Sequence, residues 1–142
     1  SGENARVVSS EPKTIFVVEN HPKLQEVFRS KLKDRGYRVL LSINATQALT
    51  RYKQQPYDAV IIDCGTTDRA GLDIFNKLHT EAWRNQKDLA RILILNEEQA
   101  DWVADLDDTE GSTILVRPVT MRQILGSLNE AVPSTTPETE EE

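Results

Sequence analysis

Ala59-Val60-Ile61-Ile62-Asp63-Cys64-Gly65 is the stretch on which the reading of this chain turns. Four small or apolar residues run together, two of them β-branched isoleucines, the pattern of a strand buried on both faces. The run stops on a carboxylate, and a polar loop then leads to Gly71. The carboxyl ends of strands are where α/β sheets hold ligands and chemistry. Asp63 is therefore either a cap on the following turn or the centre of a site, and the rest of the chain decides which.

Upstream, Thr14 to Val18 is another wholly apolar strand, broken by Glu19-Asn20-His21-Pro22. Pro22 suits the first turn of a helix, and Leu24, Val27, Phe28 and Leu32 follow at helical spacing until Gly36. Tyr37 to Leu41 reads as a strand, and Asn44 with Gln47 as the capping pair of a short helix through Tyr52. Beyond the Asp63 loop, Leu72, Phe75, Leu78 and His79 make one helical face running towards Trp83. Arg91 to Leu95 is the next strand and ends at Asn96. The helix after it is weak: Ala100, Val103 and Ala104 form a narrow apolar face and leave Trp102 exposed. Thr113 to Val116 is the last strand, and Arg117-Pro118-Val119 turns the chain. Thr120 and Gln123 then cap a helix whose apolar face is Ile124, Leu125, Leu128 and Val132. Five apolar strands alternating with five helical patterns imply an α/β parallel sheet covered on both faces, joined by right-handed crossovers.

The folded body spans residues 14–132. Residues 1–13 are polar and without periodicity, a disordered leader, and residues 133–142 form an acidic Pro/Thr/Glu-rich tail or linker. The formal net charge of −6 owes much to Glu138 and Glu140 to Glu142 in that tail. No basic stripe or aromatic-basic alternation appears, which argues against direct nucleic-acid binding. A single cysteine, Cys64, excludes an internal disulfide and a cysteine-based zinc site, and fits a reducing, cytoplasmic compartment. No apolar run reaches membrane-spanning length. His21 and His79 lack metal-ligand spacing and read as helix-start or solvent residues. Cys64 reads as a small buried residue.

Parallel strands end on one rim. Here the apolar runs end at Glu19-Asn20, Asp63, Asn96 and Arg117-Pro118, all polar, and four such ends around one crevice indicate a site. With these residues the chain resembles the receiver domain of two-component response regulators over roughly Thr14 to Val132. Receivers carry an acidic pair after the first strand and a phosphoacceptor Asp after the third. A Thr or Ser follows the fourth and Lys-Pro the fifth, and a Gly tends to stand eight residues past the acceptor, where this chain has Gly71.

The resemblance implies a flavodoxin-like (βα)5 three-layer sandwich with strand order 2-1-3-4-5. It implies a regulatory domain and not an enzyme, with Asp63 as phosphoacceptor and Asn96 and Arg117 contacting the phosphoryl group. Mg²⁺ would be held by Glu19, Asn20, Asp63 and the backbone carbonyl of Gly65. The implied partners are a sensor histidine kinase or phosphotransfer protein and a downstream protein or fused output domain, met on a face that includes Trp102 and Ile114. An acidic neighbourhood (Asp101, Asp105, Asp107, Asp108, Glu110) adjoins that face.

Four positions depart from the family pattern. Asn20 replaces an acid and should weaken Mg²⁺ binding; Asn96 replaces a hydroxyl. Arg117 replaces a point charge by a planar fork, and Ile114 stands where an aromatic switch residue is usual. Together they indicate a degenerate, or pseudo-receiver, variant. The alternative to a phosphorelay receiver is thus a phosphorylation-independent interaction module. A flavin binder would need a phosphate-cradling loop after the first strand, and Glu-Asn-His-Pro would repel phosphate.

Overall fold

The structure, a computed structural model, describes residues 11–107 and 109–134. The leader and tail read from the sequence lie mostly outside them, as does Asp108. In chain order the elements are β1 (Thr14–Val18), α1 (Pro22–Asp34), β2 (Arg38–Ser42), α2 (Ala45–Gln54) and β3 (Ala59–Asp63). Then follow α3 (Cys64–Arg84), β4 (Ala90–Leu95), a 3₁₀ segment (Glu97–Asp105), β5 (Ser112–Val116) and α4 (Met121–Ala131). The strands form one parallel sheet in the order β2-β1-β3-β4-β5, the flavodoxin-like arrangement.

The alternation of side chains along each strand divides the core in two. Phe16, Val18, Val60, Ile62, Leu93 and Leu95 face α2 and α3, where Tyr52, Leu72, Phe75 and Leu78 cover them. Ile15, Val17, Ala59, Ile61, Ile92 and Ile94 face α1 and α4, under Phe28, Leu32, Ile124, Leu125 and Leu128. This two-sided burial is why β3 and most of β1 and β4 read as unbroken apolar runs.

Three local expectations are corrected. Gln47 does not close a capping box with Asn44. Asn44 caps α2 by accepting from the Thr46 amide, while Gln47 meets the Ser42 hydroxyl. The polar loop expected after Asp63 is helical instead. Asp63 caps it, Thr67 Oγ1 donates to the Asp63 carbonyl at 2.7 Å, and the helix continues past a kink at Asp68 (φ 56°, ψ −147°). The Asp63 carboxylate accepting from the Gly65 amide is the N-cap bond that starts a helix in this polar run. Gly71 is needed where the second part of α3 passes that turn, since a Cβ there would lie 2.5 Å from Thr67 Oγ1 and 2.9 Å from Ile62 Cγ2.

The third correction concerns Trp102. The segment after Asn96 is a 3₁₀ helix, whose side chains align every third residue. Gln99 and Trp102 therefore turn inward, with Leu106 beyond them, and Ala100, Val103 and Ala104 face outward. Trp102 is half-buried against the α2/α3 side of the core. The Arg69 guanidinium lies 4.3 Å from its ring centroid and reaches Asp105 Oδ2 at 2.7 Å. Asn76 completes the clasp, donating to the Asp105 carbonyl and accepting from the Asp107 amide.

Candidate functional site

Strand register assembles the site. Val18 pairs with Ile62, and Leu95 with Val116. One step further along the chain therefore brings Glu19 beside Asp63, and Asn96 beside Arg117. The Arg117 amide prolongs the β5 ladder by donating to the Leu95 carbonyl at 2.8 Å.

Arg117 closes over Asp63 as a two-pronged fork. Nη1 donates to Oδ1 and Nη2 to Oδ2, both at 2.8 Å, and Nη1 also donates to Asn96 Oδ1 at 3.1 Å. The Gly65 amide adds a 2.9 Å bond to Asp63 Oδ1. The Asp63 side chain is 0% exposed, whereas that of Arg117 is 30% exposed, so the guanidinium lies outermost. Gly65 is fitted to this roof: a Cβ there would stand 2.5 Å from Asn96 Oδ1 and 2.7 Å from Arg117 Nη1. Asn96 offers its oxygen to Arg117 and turns its NH₂ towards Glu98 at 3.4 Å.

Glu19 is fully buried. Its Oε2 accepts from Thr66 Oγ1 at 2.9 Å and from the His21 amide at 3.1 Å, while Oε1 is buried with no hydrogen-bond partner. Burial above all, then the Asp63 carboxylate beside it, push its carboxyl up to about 8. Burial alone would raise Asp63 too. Its hydrogen bonds with Arg117, the neighbouring Glu19 carboxyl, the guanidinium charge and the Gly65 amide outweigh it and hold Asp63 below the usual carboxylate range.

The remaining expected site residues are less directly engaged. Asn20 is exposed, and its backbone N–H donates to Thr66 Oγ1 at 3.2 Å. Gly65 presents its amide to Asp63 from the first turn of α3. Ile114 packs on the α2/α3 side of the core. Trp102 is the stacked residue described above, and both side chains are half-buried. His21 starts α1, its Nδ1 accepting from the Lys23 amide; His79 is half-buried within α3. Cys64 is buried and its thiol pushed up to about 12, first by burial and then by Asp63 and Asp68.

Gln99 is a site residue that sequence reasoning missed. Its Oε1 accepts from the Asn96 amide at 2.9 Å and its Nε2 donates to the Cys64 carbonyl at 3.0 Å, tying the ends of β3 and β4 together. The Asn-x-x-Gln spacing was its signal, the same polar pair three apart that marks Thr120 and Gln123. Nothing comparable marked Thr66 or Arg69. A cleft of about 380 Å³ lined by His79, Trp83, Lys87 and Glu110 sits at the opposite end of β4 and β5, away from Asp63.

A family model described as the response regulator receiver domain matches residues 15–129. The chain belongs to that family. The receiver is 28% identical over 120 residues to the transcriptional regulatory protein KdpE of Mycobacterium tuberculosis, a match covering 83% of this chain and 50% of that protein. It thus spans about half the length of the curated relative it matches. A response regulator receiver protein from Sinorhizobium medicae superposes with a TM-score of 0.71 at 21% identity, covering 87% of this chain and 96% of that one. The receiver domain of sensor histidine kinase PA1611 from Pseudomonas aeruginosa, solved with magnesium coordinated in its active-site cleft, gives 0.68 at 22%, covering 83% and 95%. At these identities the superpositions establish the fold.

The family implies a divalent cation at this rim, and the donors do not fit one as arranged. Both Asp63 oxygens are taken by the fork, Glu19 Oε2 is committed to Thr66 and His21 so that Glu19 offers Oε1 alone, and Asn20 supplies no acid. Among the described residues no group of three or more His, Cys, Asp or Glu is placed to hold a metal ion. What the arrangement does supply is a positive charge, fixed by the chain itself, on an ionised carboxylate.

Proposed function

We propose that this receiver works as an interaction module that docks other proteins without an obligatory phosphoryl cycle on Asp63. One observation carries the reading: Asp63 is wholly buried beneath a bidentate Arg117, so a phosphodonor meets a guanidinium and not a nucleophile. Asn96 supports it, since its oxygen stabilises the closed fork and its NH₂ faces away. The docking face runs along the 3₁₀ segment and β5. Trp102 and Ile114 shape that face from beneath, while Val103 and Val116, 39% and 37% exposed, lie on its surface. Downstream proteins or a fused output domain are the partners, with neither nucleic acid nor a membrane as the ligand, in a cytoplasmic setting. No described helix is long and apolar enough to cross a membrane.

A second reading retains phosphorelay. Asp63 is held ionised, the form a phosphoacceptor needs, and a histidine kinase or phosphotransfer protein would have to draw Arg117 aside. Glu19, Asn20 and Gly65 would then be the group around a weakly held Mg²⁺. Intact-mass measurement after incubation with acetyl phosphate, and separately with a phosphorylated histidine kinase, distinguishes the two. The docking reading expects no adduct in either arm. An adduct on the wild type that is missing from Asp63→Ala refutes it.

A further inference from the structure

The guanidinium of Arg117 occupies the outer side of Asp63, with one nitrogen 2.8 Å from each carboxylate oxygen. Asn96 Oδ1 steadies it at 3.1 Å, and Gly65 leaves the space the fork fills. Magnesium would have to approach an oxygen to about 2.0–2.1 Å while keeping several waters. The nitrogens block that approach and repel a second cation. Next to the fork, Glu19 Oε1 is a fully buried carboxyl oxygen with no hydrogen-bond partner. Two carboxyl groups therefore share the pocket with a single positive side chain between Asp63 and solvent.

We propose that Arg117 is the resident counter-ion of this pocket, a tethered cation in the place of the metal. The metal site is masked by the fork: Glu19 and Asp63 bind a divalent cation only when the guanidinium is gone. This deepens the docking reading and rests on it for its significance. Metal binding is measured apart from phosphorylation, so either can fail alone. Arg117→Met keeps an apolar stem and removes the fork; Arg117→Lys keeps a charge but not the planar geometry.

The test is thermal unfolding in MgCl₂, paired with Mn²⁺-induced broadening of backbone amide NMR signals. The wild type should show no change in Tm and no broadening at Glu19, Asp63 or Gly65. Arg117→Met should gain about 5 °C when Mg²⁺ stands at about ten times its Kd, and lose those amide signals in Mn²⁺. Adding Asp63→Asn to that variant should abolish both effects. Metal-dependent stabilisation or broadening at the rim of the wild type overturns the proposal. A folded Arg117→Met that responds no more than the wild type does so equally. If Arg117→Met does not fold, Arg117→Lys is judged by the same two readouts.

Discussion

Replacing Gly65 by alanine tests the roof over Asp63 with one carbon atom. Gly65 lies in the first turn of α3, where alanine would ordinarily stabilise by about 0.5–1 kcal/mol. Here the new Cβ would stand 2.5 Å from Asn96 Oδ1 and 2.7 Å from Arg117 Nη1, against about 3.5–4.0 Å for ordinary contact. Both groups would have to retreat by about 1 Å, which stretches the 2.8 Å Nη1–Oδ1 bond beyond hydrogen-bonding range. Losing a charge-assisted bond costs about 1.5–3 kcal/mol. After the helical gain, a net loss of about 1–2 kcal/mol remains. Urea unfolding should show a midpoint lowered by about 0.5–1 M, with an unchanged slope. In an Asn96→Ala/Arg117→Ala background the obstructing atoms are gone, and the same substitution should stabilise. A midpoint in the otherwise wild-type chain that stays put or rises would refute the close-packed roof.

Three further outcomes follow from the same geometry. Glu19, pushed up to about 8 by burial and then by Asp63, holds its proton in the folded state over a range where the unfolded chain has lost it. Its contribution is therefore full below 4.5, the ordinary value of a glutamate, and lost as pH rises to about 8, while Asp63, shifted down, loses its own only in acid. Glu19→Gln should flatten the slope between those values, and an unchanged slope would contradict the assignment. Gln99→Leu strands the Asn96 amide and the Cys64 carbonyl, which should cost about 2–4 kcal/mol in urea unfolding and speed amide exchange along the 3₁₀ segment. Arg69→Ala, read by Trp102 emission in a Trp83→Phe background, should shift the emission to the red. The half-exposed Arg69–Asp105 pair should limit the stability loss to about 1 kcal/mol.

The sheet was legible because strands buried on both faces leave continuous apolar runs, and each run ended on a polar residue. Those ends were enough to expect Glu19, Asp63, Asn96 and Arg117 around one crevice, and register brings them together. What the residue types could not reveal was who pairs with whom. An arginine in a lysine position carries the same charge, and only the distance from β5 to Asp63 shows the fork spanning both oxygens. Trp102 was misplaced because a period of 3.6 was assumed where the backbone turns every three residues. The helical turn after Asp63 was read as loop because Thr66, Thr67 and Asp68 favour turns in isolation. The Thr67 hydroxyl bonded to the Asp63 carbonyl and the Gly65 amide bonded to its carboxylate hold that turn, and this depends on the strand holding Asp63 still.

Asp68 separates that turn from the long remainder of α3, with φ 56° and ψ −147°, a region a side chain enters at a cost of about 1–3 kcal/mol. Glycine would sit there without penalty, so the joint is a spring kept wound by the anchors on either side of it. Upstream the anchors are hydroxyl bonds to the strand end, and downstream they are the ring of Trp102 and the carboxylate of Asp105 gripped by Arg69. A binding partner that pries Arg69 loose would let this spring recoil, and the recoil would be delivered to the turn that carries Gly65.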